Sequence, residues 1–91
     1  MLESKFQSKV ISFLKSKYVY NFKTISSNRG GIPDIICCYN GRFISFELKT
    51  DNNKQSELQK IEQERITKAG GEYILLYNTS DWKDKIMEVL K

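Results

Sequence analysis

The stretch Gly31-Ile-Pro-Asp-Ile-Ile-Cys-Cys-Tyr-Asn-Gly-Arg-Phe-Ile-Ser-Phe-Glu-Leu-Lys49, GIPDIICCYNGRFISFELK over residues 31–49, decides the fold. Two short apolar runs flank Asn40-Gly41, the dipeptide that most strongly signals a two-residue hairpin turn. With those two residues as the loop, Tyr39 faces Arg42, Ile36 faces Ser45 and Asp34 faces Glu47. Directly opposed residues project from one face with Cβ atoms roughly 4.5–5.5 Å apart. Two carboxylates at that distance repel by about 3 kcal/mol at an effective dielectric near 20.

Two compensations exist for such a pair. One carboxyl can stay protonated through a raised pKa, or a divalent cation can bridge the two. Lys49 favours the cation. It lies two residues beyond Glu47, hence on the same strand face, where its ammonium can meet an anion or hydroxide beside the ion. Carboxylate, carboxylate, lysine and an oxygen-ligated cation together suit phosphodiester hydrolysis: the ion acidifies water and neutralises charge, and the lysine orients that water or stabilises the phosphorane.

Working outward, Leu2, Phe6, Val10, Phe13 and Leu14 recur at helical spacing and predict a first helix. Glu3 and Gln7 lie beside that stripe, with Lys5, Lys9 and Lys15 largely off it. Residues 20–26 alternate like a strand, 26–31 read as a loop, and Pro33 belongs at a strand start or edge. The polar residues 51–57 lead into a helix carried by Leu58, Ile61, Glu62, Arg65 and Ile66, which Gly70-Gly71 ends. Tyr73-Ile-Leu-Leu-Tyr77 reads as a strand buried on both faces. Asn78-Thr-Ser-Asp81 offers caps for a last helix bearing Trp82, Ile86, Val89 and Leu90. The order is α-β-β-β-α-β-α, and the strand–helix–strand segment over about 42–77 predicts a parallel, right-handed crossover. The expected fold class is an α/β sandwich, a small mixed sheet flanked by helices, with residues 1–91 as one domain.

Composition narrows the chemistry. The chain has no histidine, which excludes Ser-His-Asp and Cys-His catalysis, His-ligated zinc and histidine-based nucleases. Fifteen basic against 11 acidic residues, a net +4, is a moderate lean toward polyanions. Adjacent Cys37 and Cys38 point to opposite strand faces without metal-ligand spacing and read as reduced core thiols. No run approaches the roughly 18 apolar residues of a membrane helix, and the lysine-rich N-terminus lacks a secretory h-region. A cytoplasmic location is expected, that of the host if the gene is a phage's.

Pro33-Asp34, twelve intervening residues, then Glu47-Leu48-Lys49 resembles the PD-(D/E)xK motif of metal-dependent nucleases. The fuller pattern, Gly31-Ile-Pro-Asp34 with Phe46-Glu-Leu-Lys49, is similar to the VRR-NUC branch, in particular its small stand-alone phage and bacterial members. The resemblance covers nearly the whole chain, since the same order of elements forms that family's core. It implies Asp34, Glu47 and the Leu48 backbone carbonyl as metal ligands and Lys49 as the catalytic lysine. It further implies that Glu3 completes the metal shell directly or through water, and that Gln59 is the family's glutamine after the lysine strand, a match for which Gln55 competes. Mg²⁺ is the implied cofactor, with Mn²⁺ able to substitute, and homodimers acting on Holliday junctions are the implied assembly and substrate.

Taken singly, Asp34 after proline, Glu47 and Lys49 at a strand end, and Glu3 in a first helical turn all have ordinary structural readings. The combination in register is what points to a metal site. Arg29 suits a phosphate contact from its loop or a solvated loop position. Lys5, Lys9, Lys23 and Lys54 suit a DNA-facing rim or a solvated face. Trp82 and the tyrosines of 73–77 read as core. The rival functions are a less selective structure-dependent or nicking nuclease and a non-catalytic nucleic-acid-binding module; restriction-type cleavage needs a larger sequence-reading apparatus.

Overall fold

The computed structural model describes residues 3–50 and 54–91, with side chains from Ser4 onward. Its elements are α1 (Glu3–Ser16), β1 (Tyr20–Lys23), β2 (Ile35–Tyr39), β3 (Arg42–Lys49), α2 (Glu57–Lys68), β4 (Glu72–Tyr77) and α3 (Trp82–Val89). The expected α-β-β-β-α-β-α order is present. The four strands form one mixed sheet in the order β1-β2-β3-β4, antiparallel except for the β3–β4 pair.

Asn40 (φ 51°) and Gly41 (φ 77°) both take the left-handed conformation, as a twist-matched two-residue turn demands. The hairpin register follows: Tyr39 pairs with Arg42, Cys37 with Ile44 and Ile35 with Phe46. Pleating then divides the sheet. On one face, Ile35, Cys37, Ile44, Phe46, Leu48 and Leu76 join Phe6, Val10 and Leu14 of α1 and Trp82, Ile86 and Leu90 of α3 in a single core. Trp82 anchors it through edge-on contacts with Phe6 and Phe13, each with ring centroids 5.6 Å apart. Leu2, the first residue of the expected helical stripe, lies outside the described residues.

The opposite face carries the charged residues and is covered by α2. That helix starts at a capping box: the Ser56 hydroxyl accepts from the Gln59 amide (3.2 Å) and the Gln59 side chain accepts from the Ser56 amide (2.9 Å). It ends at Gly70 (φ +93°), where the Gly71 amide reaches the Ile66 carbonyl at 2.9 Å and the Gly70 amide reaches Thr67 at 3.1 Å.

Five sequence expectations need correction. β1 stops at Lys23 and does not run to Ser26; just beyond it Thr24 donates its amide to the Asp34 carbonyl, opposite it in register, and its hydroxyl to the Pro33 carbonyl. The strand buried on both faces is β3, not β4, because β4 forms a sheet edge and only Tyr73 and Leu76 of it are buried. α2 does not bury Leu58 and Ile61, which are 56% and 47% exposed; it turns Gln59, Glu62, Gln63 and Ile66 inward, because the sheet face beneath it is polar. Cys38 is exposed and only Cys37 is a core thiol; burial pushes the Cys37 thiol pKa up to about 12. Finally, Asp81 stands at the N-cap of α3 without a capping bond, its carboxylate being held by the Thr79 hydroxyl.

Candidate active site

β3 carries the centre of the site. Ser45, Glu47 and Lys49 project to the α2 side, and Glu47 is 4% exposed despite its charge. Burial of a carboxylate requires specific partners. One is the Gln59 amide, whose Nε2 donates to Glu47 Oε2 at 2.9 Å. Lys49 Nζ lies 4.0 Å from the same Oε2 and donates to Gln59 Oε1 at 3.1 Å. One glutamine therefore spans the carboxylate and the ammonium while its Oε1 also closes the capping box of α2. The competing Gln55 is engaged elsewhere, donating to Gln63 at 2.9 Å.

Asp34 immediately precedes β2 and bends out of the simple opposition inferred from the register. Its amide donates to the Phe46 carbonyl at 3.0 Å, and its Oδ2 accepts the Leu48 amide at 2.8 Å. The aspartate is thus drawn toward the Glu47–Leu48 segment and tethered there by a backbone donor. This charge-assisted bond supplies part of the compensation that the register argument required. Tyr73 on the same face reports the resulting field. Its phenol is pushed above the usual range by burial first and then by the negative charges of Glu47, Asp34 and Glu62, against a lowering contribution from Gln55.

Asp34, Glu47, Lys49 and Gln59 are therefore brought together. Glu3 opens α1, but its side chain lies outside the described residues. Among the described residues no group of three His, Cys, Asp or Glu forms a metal cage. The donors present, two carboxylates and backbone carbonyls, are hard oxygens that fit Mg²⁺, which keeps several waters and needs few protein ligands.

The basic residues do not form one surface. Lys5 and Lys9 sit on α1, and Lys9 lines a cleft with Phe13, Trp82 and Lys83. Lys23 pairs with Ile35, a core-face residue, so its side chain leaves β1 away from Glu47. Lys54 is exposed just before α2. Arg29 does come to the α2 side, where Nε donates to Glu62 Oε2 at 2.8 Å and Nη2 to Glu62 Oε1 at 3.3 Å.

One residue of this face carries little sequence signal. Glu62 falls in the expected helix stripe, but it is 3% exposed and receives both Arg29 and, at 3.1 Å, Arg65. A charge at an inward helical position is its only mark in the sequence. Ser56, by contrast, belongs to a Ser-x-x-Gln capping-box pattern that the sequence displays.

Neither the protein-family models nor the curated proteins include a match to this chain. Among solved structures it is similar to one described as a VRR_NUC domain, with a TM-score of 0.68 and 24% sequence identity over 89% of this chain and 92% of that one. The chain has the fold of a VRR_NUC domain.

Proposed function

We propose that this protein is a divalent-metal-dependent DNA endonuclease that hydrolyses phosphodiester bonds, with Mg²⁺ as its ion and Mn²⁺ able to replace it. The observation that carries the reading is the bridge from Glu47 through Gln59 to Lys49, at 2.9 and 3.1 Å, with the Asp34 carboxylate pinned to the Leu48 amide beside it. A binding module of this fold has no need to hold a lysine and two acids together. The similarity in fold to a VRR_NUC domain supports the same assignment.

In this reading Asp34 and Glu47 hold the ion, joined by the Leu48 carbonyl and by Glu3. When bound, the ion neutralises charge on the scissile phosphate and lowers the pKa of water. Lys49 orients the attacking water or hydroxide and stabilises negative charge as the phosphorane forms. Gln59 keeps the Lys49 ammonium and the Glu47 carboxylate aligned, so neither must be reorganised during the reaction. Lys5, Lys9, Lys23 and Lys54 are candidate contacts to more distant DNA.

One such site cuts one strand, so paired cuts need two subunits. We infer a homodimer acting on four-way junctions, with residues 1–91 forming one nuclease domain. The test is cleavage of a labelled junction beside linear duplex, splayed-arm and single-stranded DNA, with EDTA, Mg²⁺ or Mn²⁺. Symmetric, metal-dependent nicks that vanish in Asp34→Ala and Lys49→Ala establish the junction nuclease. Metal-dependent cutting without preference keeps the enzyme and discards the substrate. DNA binding without cutting in either metal overturns the reading.

A further inference from the structure

The segment from Ile25 to Pro33 delivers Asp34 to the site, yet it buries little of itself. Ile25 is 88% exposed, residues 26–30 are all exposed, and two adjacent glycines add chain entropy to be overcome. Its ordering therefore depends on a few specific tethers. Thr24 fastens the base through Pro33 and Asp34, at 2.7 and 2.9 Å. Further out the segment is fastened to α2 twice. Gly31 (φ +82°) lies against the Leu58 backbone so closely that a Cβ would stand 2.5 Å from the Leu58 carbonyl carbon. Two residues earlier, Arg29 forks onto Glu62.

Glu62 lies three residues after Gln59, so both project from the same face of α2. Gln59 grips Glu47 and Lys49; Glu62 grips the loop that ends in Asp34. The buried Glu62 carboxylate, with a side chain 4% exposed, requires cationic partners, and the bidentate geometry fixes the Arg29 guanidinium in direction as well as distance. Arg65, from α2 itself, supplies a second cation that keeps Glu62 charged and oriented without restraining the loop.

We propose that Arg29 and Glu62 are positioning residues: their ion pair locks the Asp34-bearing loop to α2 and so sets the distance between the two metal-binding carboxylates. Arg29 then acts through Asp34 and is not a phosphate contact. The proposal deepens the nuclease reading and rests on it for the metal.

The test compares wild type with Arg29→Gln, Arg29→Lys and Glu62→Gln, all first checked for a cooperative thermal transition. Three quantities are measured: the Leu48 amide resonance and its exchange rate, Mn²⁺ affinity without DNA, and kcat and KM with their salt dependence. The Leu48 N–H donates to Asp34 Oδ2, so it reports directly whether the aspartate is held. Arg29→Gln and Glu62→Gln should shift the Leu48 resonance and weaken Mn²⁺ binding about 10-fold, the scale for groups that orient metal ligands. Cleavage should fall in kcat with KM and its salt slope unchanged, and Arg29→Lys should recover part of each loss. An unmoved Leu48 amide overturns the proposal. So does a raised KM with a shallower salt slope at wild-type Mn²⁺ affinity, which makes Arg29 a phosphate contact. Wild type that neither binds Mn²⁺ nor cuts DNA sinks the nuclease reading alone, because the Leu48 amide still tests the lock.

Discussion

Replacing Gln59 by alanine removes three hydrogen bonds at once: Nε2 to Glu47, and Oε1 from Lys49 and from the Ser56 amide. The first two involve charged groups whose side chains are 5% and 15% exposed, so water replaces them incompletely. Bonds to charged groups contribute roughly 1.5–3 kcal/mol each, and partial solvent access puts these near the lower end. Adding part of a cap interaction gives an expected loss of about 3–4 kcal/mol in stability. For a chain of this size the melting temperature should fall on the order of 15–25 °C. Catalysis should fall further than stability explains. Below the melting transition, at saturating metal and DNA, kcat should drop about 10–100-fold, since Lys49 and Glu47 lose the group that aligns them. Ser56→Ala is the paired control. It removes the cap acceptor and about 1 kcal/mol of stability while leaving the bonds to Glu47 and Lys49 intact, so kcat should stay at the wild-type value. Thermal melts and single-turnover cleavage of labelled DNA read both effects. A Gln59→Ala protein that is destabilised but cuts at the wild-type rate refutes the argument and leaves Gln59 as a helix cap. Equal loss of kcat in Ser56→Ala assigns the effect to the helix end instead.

Gly31→Ala forces a Cβ to within 2.5 Å of the Leu58 backbone at φ +82°, and should destabilise by about 2 kcal/mol or more in a chemical denaturation curve. The Arg29 hydrogen bond first, and then the charges of Arg29 and Arg65, hold the Glu62 carboxyl below its ordinary value against the opposing effect of burial. A depressed folded-state pKa adds stability that is fully present above the unfolded value and is lost as pH falls through the folded one. Glu62→Gln should therefore flatten the acid limb of stability against pH below the ordinary glutamate range, and an unchanged limb counts against that ion pair. With Cys38 exposed and Cys37 buried with its pKa near 12, an aromatic disulfide reagent should titrate one thiol quickly in native protein and two after denaturation. Two fast native thiols would contradict the assigned strand faces.

Most of the fold was legible because the signals are local. Asn40-Gly41 sets the turn, the turn sets the hairpin register, and the register forces Glu47 and Lys49 onto one face. The polarity of α2 was less legible. Leu58 and Ile61 suggested an ordinary apolar stripe, but the helix lies over Glu47 and Lys49 and so buries Gln59 and Glu62 instead. Periodicity ranks residues by hydrophobicity, and it misleads where the surface being covered is itself charged.

The sequence by itself determined the order of elements, through periodicity and the glycines and caps that punctuate it; the hairpin register and the candidate trio Asp34, Glu47 and Lys49 follow from turn chemistry and strand alternation within one 19-residue stretch. Only the tertiary structure decided that Gln59 rather than Gln55 joins Glu47 to Lys49, that the Leu48 amide holds Asp34, and that Arg29 is taken by a buried Glu62. These pairings link residues up to 33 positions apart, and they depend on how α2 is seated across the sheet. That seating comes from packing the whole chain, which no local pattern encodes.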